Sequence, residues 1–135
     1  MREIKFRGLR IDGEGWVYGF YIRDEDGLPL IRVHYHESGG PDEPGYNAFA
    51  DVEVNPDTVG QYTGKQDSEG VDIYEGDLLA VASDPTKQKA FAFRVVYDLK
   101  SACFSKARGP HPDAKKMTGL FDTDGYTVIG NVHDP

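Results

Sequence analysis

The sequence predicts a mainly β protein, with an N-terminal β-hairpin region over residues 1–55 and a small barrel over residues 56–135. Three observations predict it. Apolar and polar residues alternate with a period of two along most of the chain, glycine-containing turn pairs interrupt the alternation at short intervals, and helical periodicity is scarce. At 135 residues the chain can bury a modest core without disulfides or metals, as one compact unit or as a barrel with an elaborated N-terminal part.

In order, "EIKFRG" places Ile4 and Phe6 on one face and Glu3, Lys5 and Arg7 on the other. "IDGEG" supplies Gly13 and Gly15 for a hairpin connection to "WVYGFYI", whose Trp16, Tyr18, Phe20 and Ile22 share a face. Asp26-Gly27 is a turn signal, after which Ile31, Val33 and Tyr35 face one way and Arg32, His34 and His36 the other. Glycines and prolines then break regular structure, predicting a flexible loop over 38–46. "AFADVEV" is a further strand, closed at Asn55-Pro56 because the residue before proline is held extended. Short strands follow in "VDIYEGDLLAVA", "AFAFRVVYD", "SACFSKA" and "YTVIGNVHD", and one short helix is expected near 112–118, where Pro112 and Asp113 suit a first turn and Gly119 an end.

The most informative stretch is "VGQYTGKQDSEGVDIYEGDLLAV", residues 59–81. Gly64 ends one strand, Asp67 to Gly70 form a turn with Gly70 at positive φ, and Gly76 permits a tight bend. Asp77 accepts hydrogen bonds from N–H groups freed at that bend. A Gly-Asp pair before a short apolar strand is also a common entrance to SH3-like barrels, so the C-terminal barrel is expected to be of that kind by analogy. Glu69, Asp72, Glu75 and Asp77 fall within nine residues, but their spacing does not match a calcium loop, and paired acid–base chemistry needs carboxylates in unlike environments. A structural turn is the expectation.

Three blocks carry a family likeness: "MREIKFRG" at the start, "TVGQYTGKQDSEGVDIYEGDLL" in the middle and "YTVIGNVHD" near the end. Together they resemble the YopX family of bacteriophages and prophages. The resemblance implies a phage or prophage origin, a β-rich fold with an SH3-like part, and no assigned enzymatic activity or catalytic residues. The chain departs from relatives at "GNVHDP", which lacks the acidic, apolar tail often found there.

A net charge of −8 opposes indiscriminate binding to nucleic acid. The charge is uneven, with 7 basic against 14 acidic residues over 1–70 and all 8 later basic residues between Lys87 and Lys116. Of these, Lys87, Lys89, Arg94, Lys100, Lys106 and Arg108, interleaved with Phe91, Phe93, Tyr97 and Phe104, could contact nucleic acid, although alternation places Phe91 and Phe93 in the core. His34 and His36 share a strand face and could bind a metal with Glu37 or His133; such pairs are common by chance, and no metal is expected. Cys103, the only cysteine, reads as a small strand residue. No phosphate-binding glycine loop or hydrolase motif occurs, and no cofactor is expected. No secretory signal or apolar membrane span is present, so a cytoplasmic location in a bacterial host and no membrane association are expected. The expected function is non-enzymatic binding, to a protein partner or to itself, with Tyr18, Tyr21 and Tyr35 as contact residues.

Overall fold

The computed structural model describes residues 2–88, 92–108, 116–119, 123 and 125–134. The fold is mainly β, and every ladder is antiparallel. The strands are β1 Phe6–Leu9, β2 Trp16–Arg23, β3 Pro29–Glu37, β4 Tyr46–Glu53, β5 Gly60–Gln66, β6 Asp72–Tyr74, β7 Asp77–Val81, β8 Phe93–Asp98, β9 Cys103–Arg108, β10 Lys116–Gly119 and β11 Tyr126–Asn131. Chain contacts divide into two compact units: Ile4–Gln61, and Tyr62–Pro135 together with Met1–Glu3.

In the first unit the strand order is β4-β3-β2-β1, and Gly60 and Gln61 of β5 extend it by pairing with Arg7 and Phe6. Strand β2 is shared. Its residues 16–19 pair with β1 and its residues 20–23 with β3. The changeover falls at Gly19, where a Cβ would lie 2.1 Å from the Arg32 carbonyl oxygen, so only glycine lets the two backbones approach this closely. Beneath the sheet Val17, Ile31 and Val54 form the core, with Phe6, Tyr21, Val33, Val52 and Val59 packed around them.

The strand set closes on itself at one end. Arg10 bridges Val54, Asn55 N–H donates to the Leu9 carbonyl at 2.9 Å, and Ile11 N–H donates to the Glu53 carbonyl at 3.3 Å. The Asn-Pro pair prepares this closure: Asn55 caps the 3-10 turn Pro56–Thr58 by accepting from Asp57 N–H, and Thr58 Oγ1 accepts from Leu9 N–H at 2.9 Å. Residues 56–61 therefore belong with the first unit, and its limit lies at Gln61 where the sequence suggested 55.

The alternation sets Arg7 on the face opposite Phe6, and there it is buried, its guanidinium carbon 4.6 Å from the centre of the Trp16 ring, while Ile4 is exposed. Delocalised charge on an aromatic face makes that burial tolerable.

In the second unit one sheet has the order β10-β9-β8-β7-β11, and residues 62–66 of β5 pair with β6. Ile73, Leu79, Val95 and Phe104 form its core, joined by Phe93, Tyr126 and Val128. Leu78, Leu79 and Ala80 are all buried, as befits a central strand covered on both faces. Among the described residues no ladder joins β10 to β11, so this sheet is open as far as it is described; the only closure seen is the one between β1 and β4.

The helix expected near 112–118 is corrected over its last part. Lys116–Gly119 is strand β10, paired with Ala107 and Ser105 of β9, and residues 112–115 lie outside the described residues. A free sheet edge at β9 offers four residues their backbone partners, which outweighs the weak helical preference of so short a segment.

Candidate functional site

Four of the five turn residues lie in or beside turns, whereas Gly64 does not end its strand: β5 runs on to Gln66, and the glycine sits at the register irregularity between Tyr62 and Gln66. Gly64, Gly70 and Gly76 have φ of +85°, +81° and +92°. Asp67 is only 4% exposed, yet every contact suits an acceptor: Oδ1 takes the N–H of Glu69 at 2.8 Å and of Val71 at 2.9 Å, and Oδ2 takes that of Val128 at 2.9 Å. Asp77, 1% exposed, accepts from Tyr74 N–H at 2.7 Å. Both carboxylates are thus committed to backbone donors, and what they do is hold turns.

Among the described side chains the basic segment does not assemble on one surface. Lys106 pairs with Val95 and Arg94 with Ala107 on adjacent rungs, so the two cations project from opposite faces of the sheet. Lys106 Nζ donates to Tyr126 Oη at 3.2 Å and lies 4.4 Å from the centre of that ring. Lys100 stands on the β8–β9 turn, whose Asp98 accepts its N–H at 3.2 Å, and Lys87 lies in the β7–β8 connection. Lys89 and Phe91 lie outside the described residues, and Arg108 is described by its backbone alone.

The three tyrosines also separate. Tyr18 is exposed, Tyr21 packs on Phe6 with ring centres 6.1 Å apart, and Tyr35 is exposed but aligned with core-facing Ile31 and Val33. Sequence alternation puts Tyr18 and Tyr21 on opposite faces of β2, which their ring chemistry conceals.

The aromatic surface lies on the outer face of β2, β3 and β4, the face that Tyr18 shares with Phe20 on β2. Cross-strand registers set Phe20 beside Arg32 and Arg32 beside Asp51, with His34 beside Phe49 on the next row. Phe20 is 54% and Phe49 60% exposed. The His34 and Phe49 rings are 5.2 Å apart, and His36 Nδ1 lies 3.3 Å from Asn47 Oδ1. Arg32 grips Asp51 with two parallel bonds, Nε to Oδ1 at 2.8 Å and Nη2 to Oδ2 at 3.0 Å. These bonds, and the guanidinium charge behind them, hold the Asp51 carboxyl below the ordinary carboxylate range.

Sequence reasoning missed Phe49, although a signal was present. In "YNAFADVEV" Val52 and Val54 share a phase and Phe49 has the other, so if the valines are core the phenylalanine must face outward. Among the described residues no three His, Cys, Asp or Glu side chains gather as metal ligands, and no helix is long and apolar enough to cross a membrane. Cys103 is exposed beside Ser101, 3.4 Å from its Oγ.

Three comparisons bear on identity. The chain matches the family described as "YopX protein" over residues 5–135. No curated protein matches it. Among solved structures, the crystal structure of protein EF1440 from Enterococcus faecalis is similar, with a TM-score of 0.61 and 19% identity over 98% of this chain and 95% of that one. At that identity the likeness speaks for the fold alone.

Proposed function

Since the chain belongs to the YopX family, we propose that it is a phage- or prophage-encoded accessory protein that acts in the host cytoplasm by binding a protein, not by catalysis. The family likeness supports the origin. The observation that carries the binding is the outer face of β2–β3–β4, where Phe20 and Phe49 stand in solvent on either side of a bidentate ion pair. Exposed aromatics grouped on a rigid sheet with a polar margin supply contact area at low entropic cost. Over residues 4–61 there are 5 basic against 11 acidic residues, a balance that repels a polyanion and suits a protein surface.

The test is capture from an infected or lysogenic host lysate by the immobilised chain, set against Phe20→Asp. A partner held by the wild type and lost from the variant, with unchanged far-UV circular dichroism, is the expected result. Equal capture by both rejects the surface. Binding of nucleic acid by residues 87–116 is the lesser reading, because Lys106 is engaged with Tyr126 and Arg94 points the opposite way. Anisotropy of a labelled single strand at low salt decides it: affinity that falls steeply with salt revives it, and no binding ends it.

A further inference from the structure

The edge of β4 carries a more specific inference, which rests on the binding reading above and names the partner. We propose that two copies of this chain pair β4 with β4, antiparallel about a two-fold axis at Phe49, joining their sheets edge to edge.

The backbone groups available at that edge follow from the ladder. Val54 N–H donates to the Pro29 carbonyl at 3.1 Å, and the β3–β4 register runs without a shift from Leu30↔Glu53 to Glu37↔Tyr46. Bonded and non-bonded pairs alternate along an antiparallel ladder. Val52, Ala50, Ala48 and Tyr46 therefore bond to β3, whereas Asn47, Phe49, Asp51 and Glu53 turn their N–H and C=O groups the other way. The Glu53 carbonyl is taken by Ile11 N–H. Asn47, Phe49 and Asp51 remain on the outer side of the terminal strand of the sheet. Soluble proteins guard such edges with lysine, proline, bulges or very short strands. The eight residues "YNAFADVE" contain no lysine or proline, and the ladder has no bulge.

The neighbouring structure adds to this. Strand β2 pairs with β3 only as far as Arg32, so Val33–Glu37 and Tyr46–Ala50 continue as a two-stranded arm. An isolated ribbon of two strands is marginal in water, and a third strand would stabilise it.

The side chains select a second copy and its register. In a two-fold pairing, residues directly opposite must share a face, which restricts the axis to a residue position. An axis at Asp51 would oppose like charges. One at Ala50 would set Phe49 against Asp51 and call on Glu53, whose carbonyl is occupied, and one at Ala48 would carry Asp51 past the strand end to Gly45. The axis at Phe49 avoids all three faults. Phe49 meets the partner's Phe49, Asn47 meets the partner's Asp51 twice over, Ala48 meets the partner's Ala50, and Tyr46 meets the partner's Val52. Aromatic, amide–carboxylate and aromatic–β-branched pairs are each favourable across strands, and roughly six main-chain hydrogen bonds form between the outward residues.

Sedimentation of the full chain over micromolar to submillimolar concentration tests the proposal. A dimer is expected. Phe49→Pro converts it to monomer while leaving the β3–β4 ladder intact, because the N–H it removes faces away from β3. Asn47→Asp, which opposes two acids, weakens the dimer about tenfold, and Asn47→Lys tightens it by about as much. A chain that stays monomeric throughout, a dimer indifferent to Phe49→Pro, or Asn47 variants that shift together overturns the pairing. Because Phe20 lies on β2, its capture experiment is read independently: a monomer that loses its partner on Phe20→Asp rejects self-pairing and retains the binding surface.

Discussion

Strands β11 and β4 both end a ladder order, and the chain treats them differently. Along β11 the turn after β5 lies against the outer side: Ser68 N–H donates to the Tyr126 carbonyl at 2.9 Å, and Asp67 receives Val128 N–H at 2.9 Å. Along the outer side of β4, among the described residues, only the Glu53 end is met, by Ile11, and Tyr46 and Phe49 are exposed. An edge whose donors are consumed by the chain itself has a structural role. An edge left open beside exposed aromatics is what the proposed β4 pairing uses, because unpaired strand backbone is a template for further pairing.

The difference can be broken most severely at Asp67. Asp67→Ala leaves the N–H groups of Glu69, Val71 and Val128 without their acceptor and lowers the free energy of unfolding by about 4 kcal/mol in urea titration. Asp67→Asn keeps an acceptor and loses about half as much. Gly70→Ala comes next. Open space surrounds a Cβ there, so the cost is conformational alone, about 1 kcal/mol for a φ of +81°. Phe49→Ser is the counterpart at the open edge, where unfolding free energy changes by less than about 0.5 kcal/mol while association is lost.

The smallest effect sharpens the description of the outer face. The Asp51 carboxyl is held down by Arg32, so the stabilisation from that pair is present above the unfolded carboxylate value and disappears as pH falls through the lower folded value. Carbon-detected titration of Asp51 should show a midpoint below the ordinary carboxylate value, moving up in Arg32→Ala. An unchanged midpoint would show that the ion pair does not persist in solution.

What was legible in the sequence was local. A glycine at positive φ and an aspartate one turn away are read from neighbours, and Asp67, Gly70, Gly76 and Asp77 lie in or beside turns. Gly64 is the exception, since its positive φ marks an irregularity inside β5 and not the strand's end. What depended on distant partners was not legible. Lys116–Gly119 has no strand alternation of its own and becomes β10 because β9 supplies a ladder. Arg7 follows the outward phase of its strand, yet Trp16 covers it. The grouping of Phe20 with Phe49 required the β2–β3–β4 register, and no single stretch of sequence contains that.

The bond from Asp67 to Val128 spans 61 positions and orders events during synthesis. The β1–β2, β2–β3 and β3–β4 ladders can all be made once Gln61 has left the ribosome, because residues 4–61 are one continuous segment. Asp67 must wait for almost the whole remaining chain. Until Val128 emerges, the turn at Gly70 can be made, but the strand it is meant to shield has not yet been translated.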